Sequence, residues 1–227
     1  WAYRRVLDVD PDHSAALNNL GLALLFQGRP AEAEAVLRTG VSSAPSGRAA
    51  SLLRQNLARA LYLQGRTDAG MATLDSVIVE LGGDASAELE RARLLGAEGR
   101  WDAAEQEARQ VVDRYAASPQ IRAEATRLLW HLALTRGRFQ DAERLFEDVE
   151  RDLDAVGALD ALGRAVVRRS EARLTLMHDT AGALAELDAL LRRPGLDVFR
   201  SGATLAPRVA AALAAAGDTA RALRMVE

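Results

Sequence analysis

Apolar and polar positions along the chain follow the spacing of amphipathic helices, and short glycine-containing turns separate the helical stretches. A glycine directly after such a stretch predicts the end of a helix. The pattern predicts an all-α chain, with helices over residues 1–9, 14–27, 30–43, 48–64, 67–81, 85–98, 101–115, 119–136, 139–154, 157–177, 180–193, 203–216 and 219–227.

The composition supports the helical prediction and excludes several kinds of chemistry. Apolar residues make up 49% of the chain but aromatic residues only 4%, and the abundant Ala, Leu, Arg and Glu favour helices. Absence of Cys excludes disulfides and thiolate metal sites. Every strong base is Arg, so no Lys is available for a Schiff base or a Walker-type phosphate loop. A net charge of −3 argues against nucleic-acid binding.

A repeat is visible in the first part of the sequence. Pro11 and Pro45 lie 34 residues apart, and between them run Leu20-Gly21 and Gly28. This segment closely resembles the tetratricopeptide repeat family, which has a period of 34, a Leu-Gly in its first helix, a turn glycine and a closing proline. Small residues such as Gly21 let two helices approach closely, a glycine after a helix can take a positive φ, and proline stops a helix.

The turn at Gly28 recurs along the chain. Equivalent turns are centred on Gly65, Gly99, Gly137, His178 and Gly217. The resemblance therefore extends over essentially the whole chain, although the later spacings exceed 34 residues. A small residue is expected at the eighth repeat position, where the fourth repeat has Trp130 and the fifth has Glu171 beside Ala172. The later hairpins are therefore expected to be longer and irregular beyond about residue 115, and the fifth has a second register shifted by one residue.

The resemblance implies an all-α, right-handed superhelical solenoid of antiparallel helix hairpins. We expect one repeat domain over residues 1–227, as a piece of a longer protein, with residues 1–9 as the second helix of a preceding hairpin. The expected hairpins are 14–45, 48–83, 85–117, 119–156, 157–194 and 203–227. No apolar run in the sequence is long enough to cross a membrane, and no leader segment is visible, so the sequence leaves cytoplasm and periplasm open.

A stack of such hairpins has a concave groove lined mainly by first helices. In the family, the second, fifth, ninth, twelfth and thirteenth repeat positions point into it. Carried over by number, these positions predict a partner-binding groove formed by Asn18, Leu22, Leu25, Phe26, Gln55, Arg59, Tyr62, Arg93, Arg127, His131 and Arg168, with Leu89 as a further member.

Four arginines in this set form a basic ladder: Arg59, Arg93, Arg127 and Arg168. Guanidinium groups bind carboxylates through two parallel hydrogen bonds, so the ladder predicts a partner that is acidic or ends in a free carboxylate. The alternative is that these arginines lie on solvated helix faces of an Arg-rich protein. If the fifth repeat shifts by one residue, Arg169 replaces Arg168.

The predicted function is a scaffold that binds another protein or peptide in its groove and assembles or stabilises a complex. The alternative is a regulatory or sensor segment of a larger bacterial signalling protein, such as a kinase or a transcription activator. We expect no enzymatic activity, catalytic residue or cofactor, because no catalytic motif such as a nucleophile elbow is present. We also expect no metal, because His13, His131 and His178 lie in different repeats without a second His or Cys at ligand spacing.

Overall fold

The computed structural model describes residues 2–44, 47–196 and 202–225, and within these ranges the chain is helical without strands. The expected all-α, helix-hairpin fold class is therefore confirmed. The helices are α1 (Ala2–Val9), α2 (Ser14–Phe26), α3 (Pro30–Ser43), α4 (Gly47–Leu63), α5 (Thr67–Leu81), α6 (Ala85–Ala97), α7 (Trp101–Arg114), α8 (Pro119–Thr135), α9 (Phe139–Ala155), α10 (Leu159–Ala172), α11 (Thr180–Leu191), α12 (Gly202–Ala215) and α13 (Thr219–Arg224).

The helices pack as consecutive hairpins in two compact units, residues 1–114 and 115–227. In the first unit the hairpins are α2–α3, α4–α5 and α6–α7, and α3 packs on α4 as α5 packs on α6. In the second unit they are α8–α9, α10–α11 and α12–α13, with α10 against both α9 and α12. The single repeat domain stays a prediction. Pro45, the expected closing proline, lies outside the described residues.

The turns have the backbone geometry that the repeat requires. Gly28 ends the first helix of its hairpin with φ 70°, in the left-handed region that glycine enters without a steric penalty. The equivalent residue of the fifth hairpin is His178, and it keeps the same conformation with φ 55°. The glycine of the Leu20-Gly21 pair also allows the expected close approach of two helices, because a Cβ on Gly21 would lie 2.6 Å from the Leu37 side chain.

Each unit has its own apolar core. In the first unit, leucines from successive hairpins interlock, among them Leu24, Leu37, Leu53 and Leu61. In the second unit the core contains an aromatic pair, Trp130 and Phe146, whose ring centroids lie 5.6 Å apart in an edge-on arrangement. Trp130 thus occupies a position where a small residue was expected. In the part of the chain that the structure describes, no helix is long and apolar enough to span a membrane.

The predicted helix over 157–177 is interrupted. The α-helix α10 ends at Ala172, and a π-helical segment, Arg173–Met177, leads to the turn at His178. A π-helical turn contains one residue more than an α-helical turn, which explains why counting back from His178 placed Glu171 at the small position. Ser170 is the small residue here that is completely buried, and its hydroxyl donates a hydrogen bond to Glu186 of α11.

Candidate functional site

The first-helix face of the first unit consists of the exposed sides of α2, α4 and α6, which contact one another in that order. The structure brings most of the predicted groove residues of this unit onto that face. Phe26 is 83% exposed at the end of α2. The half-buried members are Asn18, Leu22, Gln55, Arg59, Tyr62 and Arg93.

Two predicted groove residues lie in the core instead. Leu25 is 8% exposed and packs in the same cluster as Leu24 and Leu61. Leu89 is 1% exposed. The repeat positions were transferred by number, and this takes no account of how each helix is rotated against its neighbour. These two leucines were therefore assigned to the surface. As placed here, neither offers a side chain for contact with a partner.

Polar side chains of this face join neighbouring helices. Asn56 of α4 donates a 2.8 Å hydrogen bond to the Asn18 side chain of α2. Gln55 donates to Ser51, and the Ser51 hydroxyl donates to Asp84, the residue that caps the N-terminus of α6. These bonds fix the side chains of Asn18 and Gln55, so the face presents amides in defined positions.

Arg59 and Arg93, the first two members of the predicted ladder, share one carboxylate. The Arg59 guanidinium donates two hydrogen bonds to Glu90, of 2.9 and 2.7 Å, and Arg93 lies 3.1 Å from the same group. The Glu90 side chain is only 3% exposed. Both arginines therefore hold Glu90 of α6 in place.

The first-helix face of the second unit consists of the exposed sides of α8, α10 and α12. Its described residues form at least two cavities. The basic cavity, of about 360 Å³, lies between α8, α9 and α10 and is lined by Arg127, Arg164 and Arg168. The apolar cavity, of about 580 Å³, has a floor and a polar rim. Its floor is formed by Trp130, Leu134, Ala172 and Leu176, and its rim by His131, Thr135, Arg168, Glu171, Thr175 and Arg208.

The structure thus brings Arg127, His131 and Arg168 of the predicted set together on one face. Arg168 is exposed and lines both cavities. Among the described residues, neither Arg164 nor Arg168 forms an ion pair with a carboxylate. Partial burial, and secondarily the charge of Arg168, lower the pKa of His131, which favours its neutral imidazole.

Arg169, the alternative to Arg168, has a different role. Its guanidinium carbon lies 3.9 Å from the centroid of the Phe146 ring, and its side chain is 13% exposed. It also pairs with Glu150 and Glu186, at 3.5 and 2.7 Å. A cation stacked on a core aromatic ring and held by two carboxylates is part of the interior of the unit, so the shifted register does not add a groove residue.

Several residues of this face were missed from the sequence. Thr135 occupies the thirteenth position of its repeat, the same count that gave Phe26, and could have been found. Leu176 and Thr175 lie in the π-helical segment, where α-helical counting fails. Arg208 comes from α12, and it forms an ion pair with Glu171 of α10 at 3.0 Å. Side-chain partners of this kind are not visible in sequence spacing.

Sequence and structure comparisons agree with this architecture. The family model of the tetratricopeptide repeat matches residues 2–48 and 27–86. A search of curated protein sequences finds no significant match.

Three solved structures illustrate the likeness in fold. A tetratricopeptide repeat protein from Parabacteroides merdae ATCC 43184 is 19% identical, covering 98% of this chain and 81% of that chain with a TM-score of 0.56. PilF of Pseudomonas aeruginosa is 17% identical, covering 93% and 90%, with a TM-score of 0.56. A chain of the APC/C hetero-tetramer Cut9–Hcn1 is 14% identical, covering 97% and 45%, with a TM-score of 0.51.

Proposed function

Because this chain belongs to the tetratricopeptide repeat family, we propose that it binds a partner polypeptide along the first-helix faces of its hairpins and thereby assembles or stabilises a protein complex. Repeat proteins of this family are in general protein–protein interaction scaffolds. The structurally similar chain in the Cut9–Hcn1 hetero-tetramer is itself part of an assembly with a different protein.

The observation that carries the proposal is the row of positioned but accessible side chains on each face. In the first unit this face carries the fixed amides of Asn18 and Gln55 together with the exposed ring of Phe26 and the half-buried Tyr62. Amides can pair with the backbone of an extended or helical segment, while aromatic side chains provide the apolar contact area that dominates protein interfaces.

The ionisable groups of these faces also fit binding better than catalysis. Glu90 is held by Arg59 and Arg93, and Glu171 is held by Arg208. A carboxylate that accepts charge-assisted hydrogen bonds from guanidinium groups is engaged in a structural contact and is not presented to a substrate. These acids stabilise the face and are not arranged as a reactive pair.

We infer that the partner is acidic or presents a free carboxylate to the second unit. Four guanidinium groups line its two cavities, those of Arg127, Arg164, Arg168 and Arg208, against the two carboxylates of Glu124 and Glu171. The surplus of positive charge lies on a protein whose net charge is −3. A negatively charged segment would therefore be attracted to this face in particular.

The test is affinity purification with the chain as bait, from an extract of the source organism. The variant Arg127→Ala/Arg168→Ala removes two charges of the second unit. As the matched control, Arg144→Ala/Arg192→Ala removes two exposed charges, one on the second helix α9 and one directly after the second helix α11. Arg59 and Arg93 are left unchanged because they hold Glu90. We expect one partner to be lost with the first variant and retained with the control. Equal retention by both variants would contradict the assignment of the second-unit face.

A further inference from the structure

Resting on the proposed function, we propose that the apolar cavity of the second unit binds one bulky apolar side chain of the partner, while Arg168 at its rim binds a carboxylate beside that side chain. The occupant is therefore a peptide segment in which a large apolar residue is followed or preceded by Asp or Glu.

The floor of the cavity supplies the apolar part of the recognition. Trp130, Leu134 and Ala172 are buried in the core below it, so the floor is a rigid part of the unit. Leu176 leaves 49% of its surface exposed at the same place. A volume of about 580 Å³ lies in the ordinary range of ligand-binding clefts. Covering these side chains with an apolar group removes their surface from water, which is the main driving force for such contacts.

The backbone at this cavity supports a binding role independently of its lining. Leu176 and Thr175 come from the π-helical segment Arg173–Met177, and the segment ends at His178 in the left-handed conformation with φ 55°. Short π-helical turns inside α-helices occur frequently at functional sites, and strained non-glycine residues cluster there. An α-helical continuation of α10 would rotate residues 175 and 176 away from their present places, so the π-helical turn places these two residues at the cavity.

The rim supplies the charge. Arg168 has no carboxylate partner among the described residues, whereas Arg208 is neutralised by Glu171 at 3.0 Å. Partial burial and Arg168 lower the pKa of His131, which favours its uncharged form. The groups that face the cavity therefore leave Arg168 as its unmatched charge. A guanidinium beside an apolar recess is suited to a carboxylate on the residue next to the anchoring side chain.

The test uses a phage-displayed library of random 12-residue peptides, selected on the immobilised full chain, followed by anisotropy titrations of one labelled selected peptide. Thr175→Trp fills the cavity from its exposed rim, and Leu176→Ser removes apolar surface without adding bulk. Arg168→Glu reverses the rim charge, and Arg192→Glu, at an exposed residue directly after α11, is the matched control. Circular dichroism confirms that each variant keeps its helical content.

We expect the selected peptides to share a large apolar residue adjacent to Asp or Glu. The dissociation constant should rise at least tenfold with Thr175→Trp or Arg168→Glu, severalfold with Leu176→Ser, and less than twofold with Arg192→Glu. Peptides that bind all variants equally would overturn the cavity assignment and leave the proposed function standing. A selection that enriches no peptide over a blank surface would overturn both.

Discussion

Arg59 of α4 donates two hydrogen bonds, of 2.9 and 2.7 Å, to the buried carboxylate of Glu90 of α6. This ion pair connects the second hairpin to the third. The pair lies on the face that we assign to partner binding. A residue that sequence position alone marks as a contact to a partner is therefore also a structural link between repeats.

The first prediction concerns this link. Arg59→Ala leaves Glu90 with Arg93 as its remaining guanidinium partner in the described contacts, and we expect the free energy of unfolding to fall by about 1–3 kcal/mol. The double variant Arg59→Ala/Glu90→Leu should recover part of this loss, because no buried charge remains to be compensated. Urea denaturation of the full chain and a double-mutant cycle measure both effects. A double variant less stable than Arg59→Ala would show that Glu90 is stabilised by its other contacts.

The second prediction concerns the close approach of two helices. Gly70 lies inside α5, where alanine would favour the helix by about 1 kcal/mol. A Cβ at this position would lie 2.8 Å from the backbone carbonyl oxygen of Ala58, which cannot rotate away as a side chain can. We therefore expect Gly70→Ala to lower the free energy of unfolding by about 1–3 kcal/mol.

Ser76→Ala on the exposed side of the same helix serves as the control for that substitution, with an expected change within about 0.5 kcal/mol. Urea denaturation compares the two variants. If Gly70→Ala proves more stable than the native chain, α5 and α4 can separate enough to admit a methyl group, and the packing described here is wrong at that point.

The third prediction concerns the strained turn at His178. A left-handed conformation costs a non-glycine residue about 1–2 kcal/mol. Glycine avoids this cost, but it also increases the conformational entropy of the unfolded chain, which offsets part of the gain in stability. His178→Gly should therefore stabilise the protein by about 0.5–1 kcal/mol, measured as a higher thermal midpoint. His178→Ala keeps the strain and should give no gain. Equal midpoints for both variants would show that the left-handed conformation at residue 178 carries no strain that glycine relieves.

The fourth prediction concerns pH. Burial and the charge of Arg168 lower the pKa of His131 below its unfolded value of about 6.5. The neutral imidazole is the form that folding favours, so its contribution to stability is complete above about pH 6.5 and is lost as the pH falls toward the folded pKa. NMR titration of the imidazole should show the lowered pKa, and Arg168→Gln should raise it toward its usual value.

His131→Gln provides the assignment for that titration and should reduce the loss of stability between pH 7 and pH 5. A His131 pKa that is unchanged by Arg168→Gln would mean that burial alone causes the shift, and that Arg168 points away from the apolar cavity.

Sequence reasoning predicted the architecture well because the repeat is encoded locally. A turn glycine such as Gly28 indicates a positive φ, and a small residue such as Gly21 indicates a close approach of two helices. Both features are present in the structure. The same logic located Arg127 and His131 on one face, although their role in binding stays a prediction. These signals depend only on residues within one hairpin.

What the sequence did not predict depends on helix rotation and on backbone irregularity. Leu25 belongs to the core because of how α2 is turned toward α3 and α4, which a fixed repeat position does not encode. The π-helical segment adds a residue and breaks the count in the fifth hairpin, so Leu176 was not assigned to any face. The partnership of Arg59 with Glu90 joins residues 31 positions apart on different hairpins, and it required coordinates.

We hold that partners bind the first-helix faces of the hairpins and not their outer sides. Site-specific photo-crosslinking tests this most directly. A benzophenone amino acid is placed in turn at Phe26 and Arg168 on the first-helix faces, at Val79 on the second helix α5, and at Arg192 directly after the second helix α11, all four being exposed residues. We predict adducts with a partner polypeptide from Phe26 or Arg168 and none from Val79 or Arg192. Adducts that form only from the second-helix positions would contradict the account.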